Sequence, residues 1–284
     1  MKKPRFKFSK SHFAFPYTII SVVFVIVPLL ILMYYAFTDK YTGQFTLSNF
    51  SLFTEASTWK IMGISFLMAF LTTLICLLLA YPLALALCKI KSNKTFIIVM
   101  IFVLPMWINS LLRIYSVKLL FNEFLQIDKG FLLSLIGMVY DFFPFMLLPI
   151  YTVLSNMNKG YFEASNDLGA NDFRTFMKVK LPLSLPGITS GILMVFMPAV
   201  STFAINDILG SSQYWLFGNE IYFWFQKSMY NIGSALAFVM LILIIISVVV
   251  SSALNKITEG SGKTTLKNGG RTLWKNTQKA KSFQ

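Results

Sequence analysis

The chain has 284 residues, of which 56% are hydrophobic and 13% charged, with a formal net charge of +14. A soluble domain is ~45–50% apolar and ~25% charged, so this composition excludes an ordinary soluble globular protein and points to a membrane protein. The positive balance suggests nucleic acid only until the charges are located, because they cluster between and beyond the apolar runs.

A basic arm opens the chain, residues 1–14, with Lys2, Lys3, Arg5, Lys7 and Lys10. The first apolar stretch, Phe15 to Phe37, is long enough to span and has no small-residue cleavage site after it, so it reads as a retained span and not a signal peptide. Further stretches of ~20 or more apolar residues follow at about Ile61–Cys88, Thr95–Phe121, Phe131–Leu154, Leu183–Leu209 and Ile232–Leu254. The expected fold is therefore an all-α integral membrane protein with six transmembrane helices, the span region covering 15–255. Cys76 and Cys88 share one span and are separated by ~18 Å of helix, too far for a disulfide. They read as packing residues.

Lysine and arginine orient the spans. The arm, the second-to-third connection (Lys89, Lys91, Lys94), the fourth-to-fifth connection (Lys159, Arg174, Lys178, Lys180) and the tail 256–284 fall on one side if the spans alternate. Cytoplasmic loops carry such an excess, so both termini are expected in the cytoplasm. The charge is then a topology signal with attraction to anionic membrane lipid, and no nucleic-acid partner is expected.

The internal connection, 156–182, does not read as a linker. Tyr161 to Leu168 can form two helical turns ended by Gly169. Asn171 or Asp172 can cap a second short helix over Phe173–Val179. Pro182 and Pro186 are expected to prevent simple continuation into the membrane. Two short amphipathic helices tied to two spans make a lever.

This loop reads Glu163-Ala164-Ser165, then Gly169, then Val179-Lys180-Leu181-Pro182. It resembles the coupling motif of ABC-importer permeases, E-A-A, three residues, G, nine residues, I-x-L-P, with Ser165 for the second alanine and Val179 for isoleucine. The resemblance implies that the loop docks on a separate cytoplasmic ATPase, with ATP and magnesium bound there and no cofactor in this chain. The stretches Leu104–Phe121, Met138–Leu154 and Leu181–Gly210 are similar to the B-type permeases of spermidine/putrescine importers. That likeness covers roughly 81–225, and the connection "NEFLQIDKG" is shorter than in such relatives. It implies a polyamine importer with a sister permease, ATPase subunits and an external polyamine-binding protein. The same scaffold could carry another small substrate, such as iron or thiamine, and an ATP-independent channel is the more distant alternative.

A polycation path calls for carboxylates and aromatic faces. Asp141 lies ~15 Å into the fourth span, beside Tyr140. Asp207 and Glu220 fall at the external end with Tyr214 and Trp224, and Trp107 is a further candidate. Two other readings stay open: Asp141 pairs with Arg113 of the third span as a structural ion pair, and the aromatic residues simply mark the membrane interface.

The tail contains "GSGKTT", which looks like a nucleotide-binding loop. The required spacing G-x-x-x-x-G-K-[ST] places Ile257 where the first glycine must stand, and no strand precedes it. With no His/Glu/Cys constellation of metal or nucleophile spacing, the chain is not expected to be an enzyme.

Overall fold

The computed structural model describes residues 10–90, 94–124, 126, 130–158, 160–210, 214–250 and 253; side chains of 10–17 and 94–96 are outside the description. Most of the basic arm, the stretch "GSGKTT" and the tail 256–284 lie outside the described residues. Among the described residues the protein is helical, with one isolated antiparallel bridge, Thr38 to Phe45, and no strand.

The helices are α1 (Lys10–Ala36), α2 (Ala56–Lys89), α3 (Lys94–Val103), α4 (Ser110–Leu119), α5 (Phe131–Ser155), α6 (Gly160–Asp167), α7 (Asp172–Thr175), α8 (Leu181–Ser201), α9 (Ala204–Leu209) and α10 (Phe217–Gln226). The last, α11, runs over Tyr230–Val250. Five stretches are long and apolar enough to cross a membrane: Thr18–Ala36, α2, α5, Asp172–Ser201 and α11. A sixth arises if the bent pair Ile97–Trp107 and Ser110–Phe124 is one span.

That pair covers the third stretch, expected as one span over about Thr95–Phe121, and is sharply bent. Its halves meet at 96°. Pro105 sits in a 3-10 turn, Leu104–Trp107, and the chain then extends at Ile108. Asn109 starts α4 afresh, its side chain accepting from Leu111 N at 2.9 Å. The fifth span is broken too: α8 ends at Ser201, and Thr202 is extended before α9 begins. Pro144 and Pro149, in contrast, lie inside an unbroken α5.

The chain divides into two compact units, 1–59 with 220–242, and 60–219 with 243–284. In the first, the C-terminus of α1 presents carbonyls that no further helical turn can satisfy. Two buried asparagines take them. Asn49 Nδ2 donates to the carbonyls of Ala36 (3.0 Å) and Thr38 (2.9 Å), and Asn231 Nδ2 donates to Tyr35 (3.2 Å) and Thr38 (2.6 Å). Asn231→Leu is expected to lower stability by about 1–3 kcal/mol, since it removes the donor from buried acceptors; thermal unfolding of the purified protein in detergent measures it.

In the second unit the main packing is α5 against α8. In lipid, small residues let backbones approach closely and so gain van der Waals contact. Gly187 and Gly191 do this one turn apart: a Cβ on Gly187 would stand 2.9 Å from the Pro149 carbonyl oxygen, and one on Gly191 would stand 2.7 Å from Met146 Sδ. The first obstacle is backbone and cannot swing aside. Gly187→Val is expected to cost about 1–3 kcal/mol by overpacking, read as a lower melting temperature and lower membrane yield.

Candidate functional site

Two places in the second unit concentrate unusual chemistry: the loop between α5 and α8, and a charged pair inside the helices.

In the loop, Gly169 ends α6 with φ +76°, a left-handed conformation that glycine adopts without a Cβ clash. Its N–H donates to Asn166 O at 2.8 Å, and Ala170 N–H donates to Ser165 O at 3.1 Å. Asn171 caps α7, accepting from Arg174 N at 2.9 Å. The expected second helix, Phe173–Val179, is instead α7 plus a π turn, Phe176–Lys180, which runs directly into α8. Pro182 therefore does not break the chain's entrance to the membrane. It lies inside the continuous helical run Asp172–Ser201, as Pro186 does, and the π turn just before it is the local adjustment that accommodates the missing N–H.

Three contacts hold the loop together. The Ser165 and Thr175 hydroxyls lie 2.9 Å apart. Lys180 Nζ sits 4.9 Å from the centroid of the Phe162 ring. Tyr81 of α2 packs edge-on to Phe176 and its hydroxyl lies 3.0 Å from Ser184 Oγ. Ser165 thus has a use that alanine at the same motif position would lack. Glu163 and Ala164 are exposed on α6, Val179 and Leu181 are half-buried, and Pro182 is exposed. Leu168 is 84% exposed and Phe173 73% exposed, with Met177 and Tyr161 also open. Large apolar side chains on a polar connecting loop mark an interaction surface.

The charged pair joins α4 to α5. Arg113 Nη2 lies 2.7 Å from Asp141 Oδ1, and both side chains are more than nine-tenths buried. The contact that the ion-pair reading expects between Arg113 and Asp141 is therefore present. The Arg113 guanidinium carbon also stands 5.9 Å from the centroid of Tyr140. The contact is close but poorly aligned: Asp141 Oδ1, Arg113 Nε and Arg113 Nη1 are buried without a hydrogen-bond partner among the described residues. We therefore describe it as a charge contact with one arm of the guanidinium, not the bidentate fork that makes such pairs strong.

The other path candidates are dispersed. Tyr214 packs edge-on against Phe131 at the start of α5, with ring centroids 5.4 Å apart. Asp141 is ten residues further along that helix, ~15 Å away. Asp207 is exposed on α9, and Trp107 is 83% exposed at the α3 break. Glu220 accepts from Trp224 Nε1 at 2.8 Å in the first unit. A cavity of about 650 Å³ lined by α2, α3 and α5 is walled by apolar side chains, with Tyr140 at its edge.

Sequence reasoning missed a buried polar network. Asn206 of α9 accepts from Ser134 Oγ (3.1 Å) and donates to Asn219 Oδ1 (3.1 Å) and Tyr214 O (3.1 Å), while Asn219 Nδ2 donates to Phe203 O (3.1 Å). It fixes the broken end of the fifth span to α5. The signal available was an asparagine inside the apolar run "STFAINDIL".

The profile of the family described as "Binding-protein-dependent transport system inner membrane component" matches residues 85–260. The chain belongs to this family. The matched region contains α4, α5, the loop and α8, hence both the ion pair and the exposed apolar surface of this inner membrane component. The spermidine/putrescine transport system permease protein PotB of Haemophilus influenzae is 32% identical over 83% of this chain and 90% of its own length. The PotB protein of Escherichia coli K12 is 33% identical over 70% of this chain and 80% of its own. Among solved structures, a chain of a bacterial alginate ABC transporter, in complex with an alginate-bound periplasmic protein, superposes with a TM-score of 0.71 at 14% identity, covering 87% of this inner membrane component and 94% of that chain. At that identity the likeness concerns the fold alone.

Proposed function

We propose that this chain is a permease subunit of an ATP-driven importer of polyamines of the spermidine/putrescine type. The observation that carries the reading is the identity of about one third to permeases of that name over most of both chains. A sister permease would complete the path, and an external polyamine-binding protein would deliver the substrate.

ATP hydrolysis belongs to a separate cytoplasmic ATPase docked on 156–182, through Glu163 at the start of α6 and the exposed side chains of Leu168 and Phe173. ATP and magnesium bind there. The basic loops support a cytoplasmic location for this face and for both termini, with α3 and α4 counted as one bent span. Motion of the loop has a physical route inward. The π turn makes α7 and α8 one continuous rod, and α8 is seated on α5 through Gly187 and Gly191. A displacement of α7 therefore reaches the helix that carries Asp141. Asp141 and Tyr140 offer a carboxylate and an aromatic face to an ammonium group; Trp107, Asp207 and Tyr214 are further path candidates in the same unit, and Glu220 and Trp224 are candidates in the other.

The test is uptake of labelled spermidine into proteoliposomes holding this chain with its native partners. Uptake that requires both ATP and the binding protein, and that unlabelled putrescine suppresses, is expected. A complex that hydrolyses ATP in response to its binding protein but moves no polyamine would overturn the polyamine assignment.

A further inference from the structure

We infer that Arg113 is an internal stand-in for the substrate's ammonium group, holding Asp141 until a polyamine cation displaces it; this rests on the polyamine reading above.

The argument starts from how badly the pair is made. Arg113 and Asp141 are the only charged side chains among the described residues that are buried. Taking two ions out of water is repaid only when geometry is excellent and the remaining donors are satisfied. Here one guanidinium nitrogen of three reaches one carboxylate oxygen, and Nε and Nη1 have no hydrogen-bond partner among the described residues. Structural ion pairs in helices have no reason to stay so incomplete, because a Met–Leu pair of similar size would pack without the penalty. A buried charge left in poor geometry is a group whose better arrangement belongs to another state.

The surroundings favour exchange of one cation for another. Arg113 sits on α4, the half-span that restarts after the 96° bend, so it can move without dragging a straight helix. Asp141 is fixed by comparison, mid-way along the unbroken α5. Tyr140, 42% exposed, stands under the guanidinium and offers its face equally to an incoming ammonium. A polyamine presents compact ammonium groups on a methylene chain, and the apolar cavity that Tyr140 helps to line suits the methylenes. When Arg113 withdraws, the carboxylate exchanges one cationic partner for another, and the long Arg113 side chain carries the displaced guanidinium toward water, where its charge is solvated. In the resting state the same pairing leaves no unpaired carboxylate to draw other cations.

The test uses the assembled complex. Detergent-purified complex is measured for labelled spermidine retained without binding protein, and proteoliposomes are measured for uptake and for ATPase activity stimulated by the loaded binding protein. Removing a competitor that occupies the site raises apparent affinity, so R113Q is expected to retain spermidine at least about tenfold more tightly than wild type. R113M/D141L, an apolar pair, is expected to assemble and keep stimulated ATPase activity while uptake falls to background. Three results would overturn the inference: an assembled R113Q complex with unchanged affinity, an R113M/D141L complex that transports at the wild-type rate, or an R113M/D141L chain that fails to assemble. Where R113Q itself does not assemble, the double variant decides. Failure of the polyamine reading is distinct, because then the wild-type complex moves no spermidine at all.

Discussion

Replacing Leu168 and Phe173 together with aspartate is expected to detach the ATPase and abolish transport while leaving the membrane helices folded. These two side chains are the most exposed large apolar groups of the 156–182 loop. The protein's own core does not cover them, and α6 is held to α7 and the π turn without them, by Ser165–Thr175 and Phe162–Lys180. Truncating a central apolar anchor of an interface costs about 2–4 kcal/mol, which is a loss of roughly 30- to 1000-fold in affinity. Adding a charge on each adds a desolvation cost to any residual contact. Co-purification of the ATPase with the tagged chain measures the loss directly. The same substitution at Tyr41, exposed on the connection between α1 and α2, is the control and is expected to leave co-purification unchanged. Retention of the ATPase by the Leu168→Asp/Phe173→Asp variant would place the docking surface elsewhere.

The features of this loop visible in sequence were local ones. Gly169 and Asn171 act through their own backbones, and a helix stop and a helix cap are written in single residues. The spans were legible for a similar reason: crossing a bilayer demands an apolar run wherever the helix points. Direction is what such a run omits. "VLPMWINS" is as apolar as a straight span, yet Pro105 and the Asn109 cap turn the chain by 96° within it. Pro182 misled in the opposite sense, because a π turn before it lets the helix run on through the proline, and a π turn has no signature in single residues. The Asn206 network and the asparagine donors at the end of α1 were invisible because their partners lie on other elements, brought together by the fold and by no local spacing. Arg113 and Asp141 could be matched by depth along their spans; whether they touched depended on the bend that brings α4 across α5.

That contact changes what a single substitution at Asp141 does. Asp141→Leu alone strands the Arg113 guanidinium, which then has no carboxylate acceptor in a site where Nε and Nη1 already lack partners among the described residues. Breaking a buried pair by removing one partner costs about 3–5 kcal/mol, so the single variant is expected to assemble poorly and to unfold at a clearly lower temperature. Arg113→Met by itself strands the carboxylate and is expected to be destabilised to a similar degree. Joined as R113M/D141L, the substitutions remove both charges and are expected to recover most of that loss, leaving stability within about 1–2 kcal/mol of wild type or above it. The signature is therefore strong non-additivity in the double-mutant cycle, of the kind that contacting residues show and distant ones do not. Unfolding of the four proteins in one detergent gives the four corners. Losses at Asp141 and Arg113 that simply add would mean that the two side chains do not share the contact, and that Asp141 faces its environment alone.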